Sequence, residues 1–283
     1  MDIGINTAYF LKGATEEERI EFIFGTLAQN GIKHFDHMTS VEGDDYLDLA
    51  KKFRSAADKT ETVFHQSHCP MCRYKRDMPY EDVLPVALRA VEAASILGSK
   101  FFVVHADESR FYEGDEYDAG KTANQMYEYI SRIVEKAKPH GMTVCIENLF
   151  EDGRYPEMER SRFTSEIDEL LGLTERFDRE DVGICWDFGH ARVAFGDEAT
   201  DKFSLALPRI YCTHVHDNNG RDEHRLPFRG KNDWYAQMPM LINSGYSGIL
   251  SFELVHGRIP DELMPDYISY CKKLGNFLAE LKG

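Results

Sequence analysis

The residues best able to do chemistry in this 283-residue chain stand at the ends of short apolar runs. His65–Gln66–Ser67–His68 closes one run and His105–Ala106–Asp107 the next. Glu147–Asn148, Asp187–Phe188–Gly189–His190 and His214–Val215–His216–Asp217 follow, with Asp222–Glu223–His224 close behind and Glu253 in the last run. Buried ionisable groups are costly unless paired or ligated, so this recurrence points to a shared site. Mixed carboxylate and imidazole donors suit a divalent ion such as Mn2+, Zn2+, Co2+ or Mg2+ better than a thiolate-selecting one. Glu147, Asp187, His214 and Glu253 come from four consecutive runs and can converge on one ion. Positions left open to a substrate would make such a site catalytic rather than structural.

Something must position these residues, and the chain offers a regular frame. β-Branched and aromatic runs at 3–6, 34–38, 62–65, 101–105, 143–148, 182–186, 210–216 and 248–254 read as strands. Helical periodicity occupies 15–30, 79–98, 117–140, 163–177, 197–207, 233–244 and 259–281 between them. Strand and helix alternating in this way predict a parallel sheet under helices. No GxGxxG follows an early strand, which removes the main signal for an open dinucleotide-binding sheet. The expected fold is an α/β, single-domain (β/α)8 TIM barrel over residues 1–283. The strand ends that carry the polar residues are then the face where barrel active sites lie.

Composition narrows the function classes. A formal net charge of -16 is poorly suited to following a phosphate backbone, so nucleic acid is not the expected partner. No run is apolar for the roughly 20 residues a bilayer span needs, and the N-terminus lacks a signal-peptide pattern. A reduced, cytoplasmic protein is expected, with six cysteines too few for a disulfide framework. Cys69 and Cys72 in HQSHCPMC have no second Cys/His pair at finger spacing, so they are read as shaping a loop after strand three that carries His68. Cys145, Cys185 and Cys212 fall inside strands and should be buried.

The stretches VCIENLF (144–150), GICWDFGHA (183–191), THVHDNNGRDEHRLPFRG (213–230) and GILSFEL (248–254) resemble the xylose isomerase-like TIM-barrel superfamily. That group contains sugar and sugar-phosphate isomerases and epimerases, and also the AP endonuclease IV family. The likeness runs through essentially the whole chain as an ordered set of motifs, each weak alone. In the epimerase branch it implies one metal on Glu147, Asp187, His214 and Glu253. The two glutamates would also be the catalytic proton-transfer pair, working next to a carbonyl through a metal-stabilised enediolate. His190 would contact substrate hydroxyls, with His68, His105, Asp222 and His224 as further substrate-binding residues. The endonuclease branch implies a trinuclear zinc site on His68, His105, Glu147, Asp187, His190, His214, Asp222, His224 and Glu253. Charge favours the sugar reading, with a small sugar or sugar phosphate as partner and a homo-oligomer as the form many relatives take. A dehydratase and a non-catalytic sugar-binding barrel stay open as alternatives.

Other residues have blander expectations. His216 is expected to turn away from an axis-facing His214, and Asp217 to orient a neighbour. His34 and His37 divide evenly between surface and pocket. Trp186 is read as core, and Arg229, Lys231, His256 and Arg258 as solvated. Arg73–Tyr74–Lys75–Arg76 is the nearest thing to a basic run. Glu16, Glu17 and Glu18 suit the first turn of a helix.

Overall fold

In a computed structural model the apolar runs become eight parallel strands. They are β1 (Ile3–Asn6), β2 (His34–Met38), β3 (Val63–His68), β4 (Phe101–Val104), β5 (Thr143–Glu147), β6 (Val182–Asp187), β7 (Ile210–His214) and β8 (Leu250–Phe252). The structure describes residues 1–7, 17–38, 41, 43–70, 80–106, 118–151, 162–254 and 259–282. Strands pair in the order β7-β6-β5-β4-β3-β2-β1-β8. A parallel bridge between Val215 and Phe252 brings the two ends together, with Val215 N donating to Ser251 O at 2.7 Å. The sheet is thus a (β/α)8 barrel.

Helices α1 (Glu17–Gln29), α2 (Tyr46–Lys59), α3 (Tyr80–Leu97), α4 (Ala119–Ala137), α5 (Ile167–Thr174), α6 (Phe188–Phe195), α7 (Ala199–Ala206), α8 (Trp234–Asn243) and α9 (Met264–Ala279) accompany the strands. Two of them have no counterpart in the sequence reading. The buried stripe of α2 is Ala50, Phe53, Ala56 and Ala57 opposite a strongly charged face, an amphipathic pattern that the sequence itself carries. Helix α6 starts directly on β6 with Asp187 as its N-cap, so no loop announces it. Helix α5 starts later than expected because Thr164 takes a left-handed φ of 65°.

Alternation along the strands separates two environments. Ile5, Phe35, Phe64, Phe102, Ile146, Ile184 and Phe252 face the helices in one large core. Phe101, Val103, Cys145, Cys185 and Cys212 form a smaller apolar cluster of their own. Residues two apart share a face, so Cys145, Cys185 and Cys212 sit one step below Glu147, Asp187 and His214 in the barrel interior. Trp186 is buried against Phe203, as a core residue should be.

Neither histidine of β2 lies in the pocket: His34 is partly exposed and His37 is buried. His34 lies at the strand's start and reaches Asp2 at 3.1 Å. His37 packs in the outer layer, its ring 4.5 Å from Phe53 and its Nδ1 2.7 Å from Thr7 Oγ1. Burial pushes the His37 ring down to about 4, with the Asp36 charge opposing only in part. Between pH 6.5 and 4 the unfolded chain therefore takes up a proton that the folded one refuses. Stability from this residue is complete above 6.5 and falls as pH drops, by about 3 kcal/mol at pH 4. Urea denaturation at pH 7 and pH 4 should show that share of the loss disappear in His37→Phe.

Candidate metal centre

Strands β5, β6 and β7 end on Glu147, Asp187 and His214, and Glu253 follows β8 by one residue. Ligand atoms from these four lie within 4.8 Å of one another, and all four residues are buried. His214 Nδ1 is 3.3 Å from Glu147 Oε1, 3.3 Å from Glu253 Oε2 and 3.7 Å from Asp187 Oδ2. Four side chains from four elements have been brought to one point near the barrel axis.

A second ring of side chains surrounds them. His68 Nε2 and His105 Nε2 lie 3.0 and 3.3 Å from Glu147 Oε2, and His190 Nδ1 lies 3.0 Å from Glu147 Oε1. Asp222 Oδ1 is 3.1 Å from His224 Nε2 and 3.8 Å from His190 Nε2. Ligand atoms of His190, His216, Asp222 and His224 form another group within 4.8 Å, as do those of His68, Glu147 and His214. His68, His105, Glu147, Asp187, His190, His214, Asp222, His224 and Glu253 are therefore brought together, whereas the His65 ring packs on His34 and Phe101 and Asp107 lies outside the described residues.

The orientation of three histidines is set by backbone. His68 Nδ1 is 2.6 Å from Cys69 O, His190 Nδ1 3.0 Å from Asn148 O, and His224 Nδ1 3.0 Å from Glu253 O. A carbonyl only accepts, so each Nδ1 donates to it and Nε2 is the nitrogen turned toward the site. This is the arrangement metal-ligating histidines use.

Charge follows the geometry. Burial would raise Glu147, but the His214 and His105 charges, with His105 and His190 close against its oxygens, hold it well below the usual carboxylate range. Asp187 is likewise held down against burial by His190 and His216. Burial works against a charged His190 and His224 too, yet neighbouring carboxylates lift them to about 9 and about 10. Glu147 and Asp187 are thus ionised at neutral pH.

The residues fit a divalent ion. Glu147 Oε1 and His214 Nδ1 are buried and make no hydrogen bond, although each is close to the other three donors. Three carboxylates with one imidazole form a hard-to-borderline donor set. Glu147, Asp187, His214 and Glu253 are the residues that would hold the ion.

The structure corrects one expectation and adds residues the strand ends did not reveal. His216 does not turn away: it shares the face of His214, since residues two apart point the same way along an extended strand. Its Nε2 is 2.9 Å from Asp187 Oδ1, and its ring stacks on His224 with centroids 4.0 Å apart. Asn148 locks Asp187 from behind, accepting from Asp187 N at 2.7 Å and donating to Asp187 O at 2.9 Å. Asp36, on β2, lies 2.9 Å from His214 Nε2. Its period-two place opposite the outward Phe35 was the available signal.

Asp217 organises the loop that delivers Asp222 and His224. Its Oδ1 accepts from Asn218 N (2.9 Å) and Asn232 N (3.1 Å), and its Oδ2 from the Trp234 indole at 3.0 Å. Removing the indole donor by Trp234→Phe leaves a buried carboxylate oxygen short of a partner. A loss of about 1–3 kcal/mol is expected in urea denaturation.

His65–His68 belongs to β3 itself rather than to a loop, Cys69 is buried, and Cys72 lies outside the described residues. Glu16, Asp107, Arg73–Tyr74–Lys75–Arg76, His256 and Arg258 also fall outside them. Arg229 and Lys231 are exposed. None of the described helices is long and apolar enough to cross a membrane.

A (β/α)8 barrel with buried carboxylates and histidines at its C-terminal mouth is a recognised class of metal-site scaffold. The family model for the xylose isomerase-like TIM barrel matches residues 24–274, and the chain belongs to that family. Its sequence is 25% identical over 271 residues to the uncharacterised protein MJ1188 of Methanocaldococcus jannaschii, covering 92% of this chain and 90% of that one. It is 26% identical over 167 residues to the uncharacterised protein y4fM of Sinorhizobium fredii, and the match spans about half (50%) of that protein's length. Among solved structures, a D-tagatose 3-epimerase-like protein superposes with a TM-score of 0.75 at 22% identity, covering 99% of each chain. The IOLI protein with a zinc atom gives 0.77 at 15%, covering 99% of this chain and 98% of that one. An AP endonuclease of family 2 from Brucella melitensis gives 0.71 at 17%, covering 92% and 95%. At these identities the likeness is one of fold.

Proposed function

We propose that the protein is a divalent-metal-dependent isomerase or epimerase acting on a sugar or sugar phosphate. The observation that carries this reading is the pair of buried glutamates, Glu147 and Glu253, that share one ligand group with Asp187 and His214. A bound divalent ion would polarise a substrate carbonyl and its neighbouring hydroxyl, lowering the cost of negative charge developing there. Glu147 and Glu253 then have the proton work: one takes the hydrogen from the carbon beside the carbonyl and the other returns it. His68, His105, His190, Asp222 and His224 line the same mouth and orient hydroxyl groups. A D-tagatose 3-epimerase-like protein, a D-psicose 3-epimerase and an L-ribulose 3-epimerase share the fold, which supports a carbohydrate over other substrates. Substrate C–H hydrogen should exchange with deuterated solvent in the presence of Mn2+. No exchange with any ketose or ketose phosphate would sink the reading.

A second reading is favoured by the preset rings of His68, His190 and His224. Three Nε2 atoms turned toward carboxylates are more ligand atoms than one ion needs, and they match the set for a trinuclear zinc phosphodiesterase of the endonuclease IV kind. The net charge of -16 weighs against a nucleic-acid substrate. Nicking of abasic duplex DNA, with about three zinc ions bound per chain, would establish this reading in place of the first.

A further inference from the structure

We propose that Asp36 is a positioning residue for the metal ligand His214, and that it determines which ring nitrogen is offered to the ion. The inference rests on the reading of Glu147, Asp187, His214 and Glu253 as a metal site. It adds a residue from the opposite side of the barrel.

Asp36 is fully buried on β2, and its carboxylate lies beneath the ligand group. Its Oδ2 accepts from Asn6 Nδ2 at 3.1 Å (β1), from Gln66 Nε2 at 3.3 Å (β3) and from Ser251 Oγ at 3.5 Å (β8). His214 Nε2 stands 2.9 Å from the same oxygen. Oδ1 makes no hydrogen bond, so the interactions of Asp36 converge on Oδ2. Each of the three hydrogen bonds at Oδ2 is donated to it, which fixes where the carboxylate stands.

A local irregularity delivers Asp36 to this place. The β2–β3 register shifts between Phe35 and Asp36, leaving His65 as an extra residue on β3 and setting Gln66 opposite Asp36. Gln66 Nε2 also reaches Thr213 O at 3.4 Å, and Asn6 Nδ2 reaches Glu253 Oε1 at 3.3 Å. The network therefore touches β7 beside one ligand and holds a second ligand directly.

The consequence for His214 is chemical. A carboxylate 2.9 Å from Nε2 favours the proton on that nitrogen, leaving the Nδ1 lone pair toward Glu147, Glu253 and Asp187. The ring N–H is off the line to Oδ2, so the contact acts first through charge. Carboxylate–histidine–metal relays of this form raise ligand basicity and fix ring orientation.

The test is Asp36→Asn, which keeps the shape and removes the charge. The apoprotein should melt within a few degrees of the parent, while the dissociation constant for Mn2+ or Co2+ rises about 10–100-fold in equilibrium dialysis. An affinity within twofold of the parent overturns the proposal, as does a loss of affinity only in proportion to a fall in apoprotein stability. Should the variant not fold, the zinc-loaded parent decides through the 15N shifts of His214. A protonated Nε2 with a metal-bound Nδ1 supports the proposal, and a metal-bound Nε2 overturns it. If the parent itself binds no metal, the metal-site reading has failed, which is a different result from normal binding by Asp36→Asn.

Discussion

Glu147→Gln is expected to lower turnover by about a thousandfold and to remove most divalent-metal binding. Loss of a positioned general acid or base costs about 10^2–10^4-fold, and here the same side chain is also a ligand. Glu147 is the hub of the site: its two oxygens lie within 3.3 Å of His68, His105, His190 and His214. An amide keeps the volume but carries no charge, and its NH2 would face imidazole nitrogens that need an acceptor or a metal. The scaffold should survive, because β5 is held by its pairing with β4 and β6 and by the outer core. Near-parent exchange of substrate C–H in Glu147→Gln would remove Glu147 from the mechanism. Near-parent metal content would remove it from the ligand set.

Gly189→Ala should be the most damaging change that touches no functional group. A Cβ at this position would overlap the His216 ring, close to its Cε1, Nδ1 and Nε2 atoms. That ring has no free direction: its Nε2 is held by Asp187 at 2.9 Å and one face is stacked on His224. Overpacking usually costs about 1–3 kcal/mol, and a pinned neighbour puts this case at about 3 kcal/mol or above. The strain is directed at Asp187, so metal affinity should fall together with the urea midpoint. A variant with unchanged midpoint and unchanged affinity would show that His216 has room to move and does not brace Asp187.

The sequence made the ligands legible and hid their supports. Glu147, Asp187, His214 and Glu253 stand at or beside strand ends, where an ionisable residue interrupts an apolar run and is conspicuous. Asp36 stands between Phe35 and His37 on β2 and Asn6 ends β1, and nothing local says which partner each meets across the barrel. His216 required the period-two rule to be applied with the correct sign, since it shares the face of His214. The barrel followed from strand–helix alternation; α2 is amphipathic and readable from its own residues, whereas α6 is concealed by starting on the residue that ends β6. The bulge that places Gln66 opposite Asp36 depends on pairing between strands and leaves no mark in either one.

Metal binding by the chelator-treated protein tests the account most directly. Apoprotein dialysed against Mn2+ or Zn2+ should retain at least one ion per chain. Glu147→Gln and Asp187→Asn, folded by circular dichroism, should retain little of it. A parent that binds no more metal than these variants would contradict the assignment of Glu147, Asp187, His214 and Glu253 as a metal site.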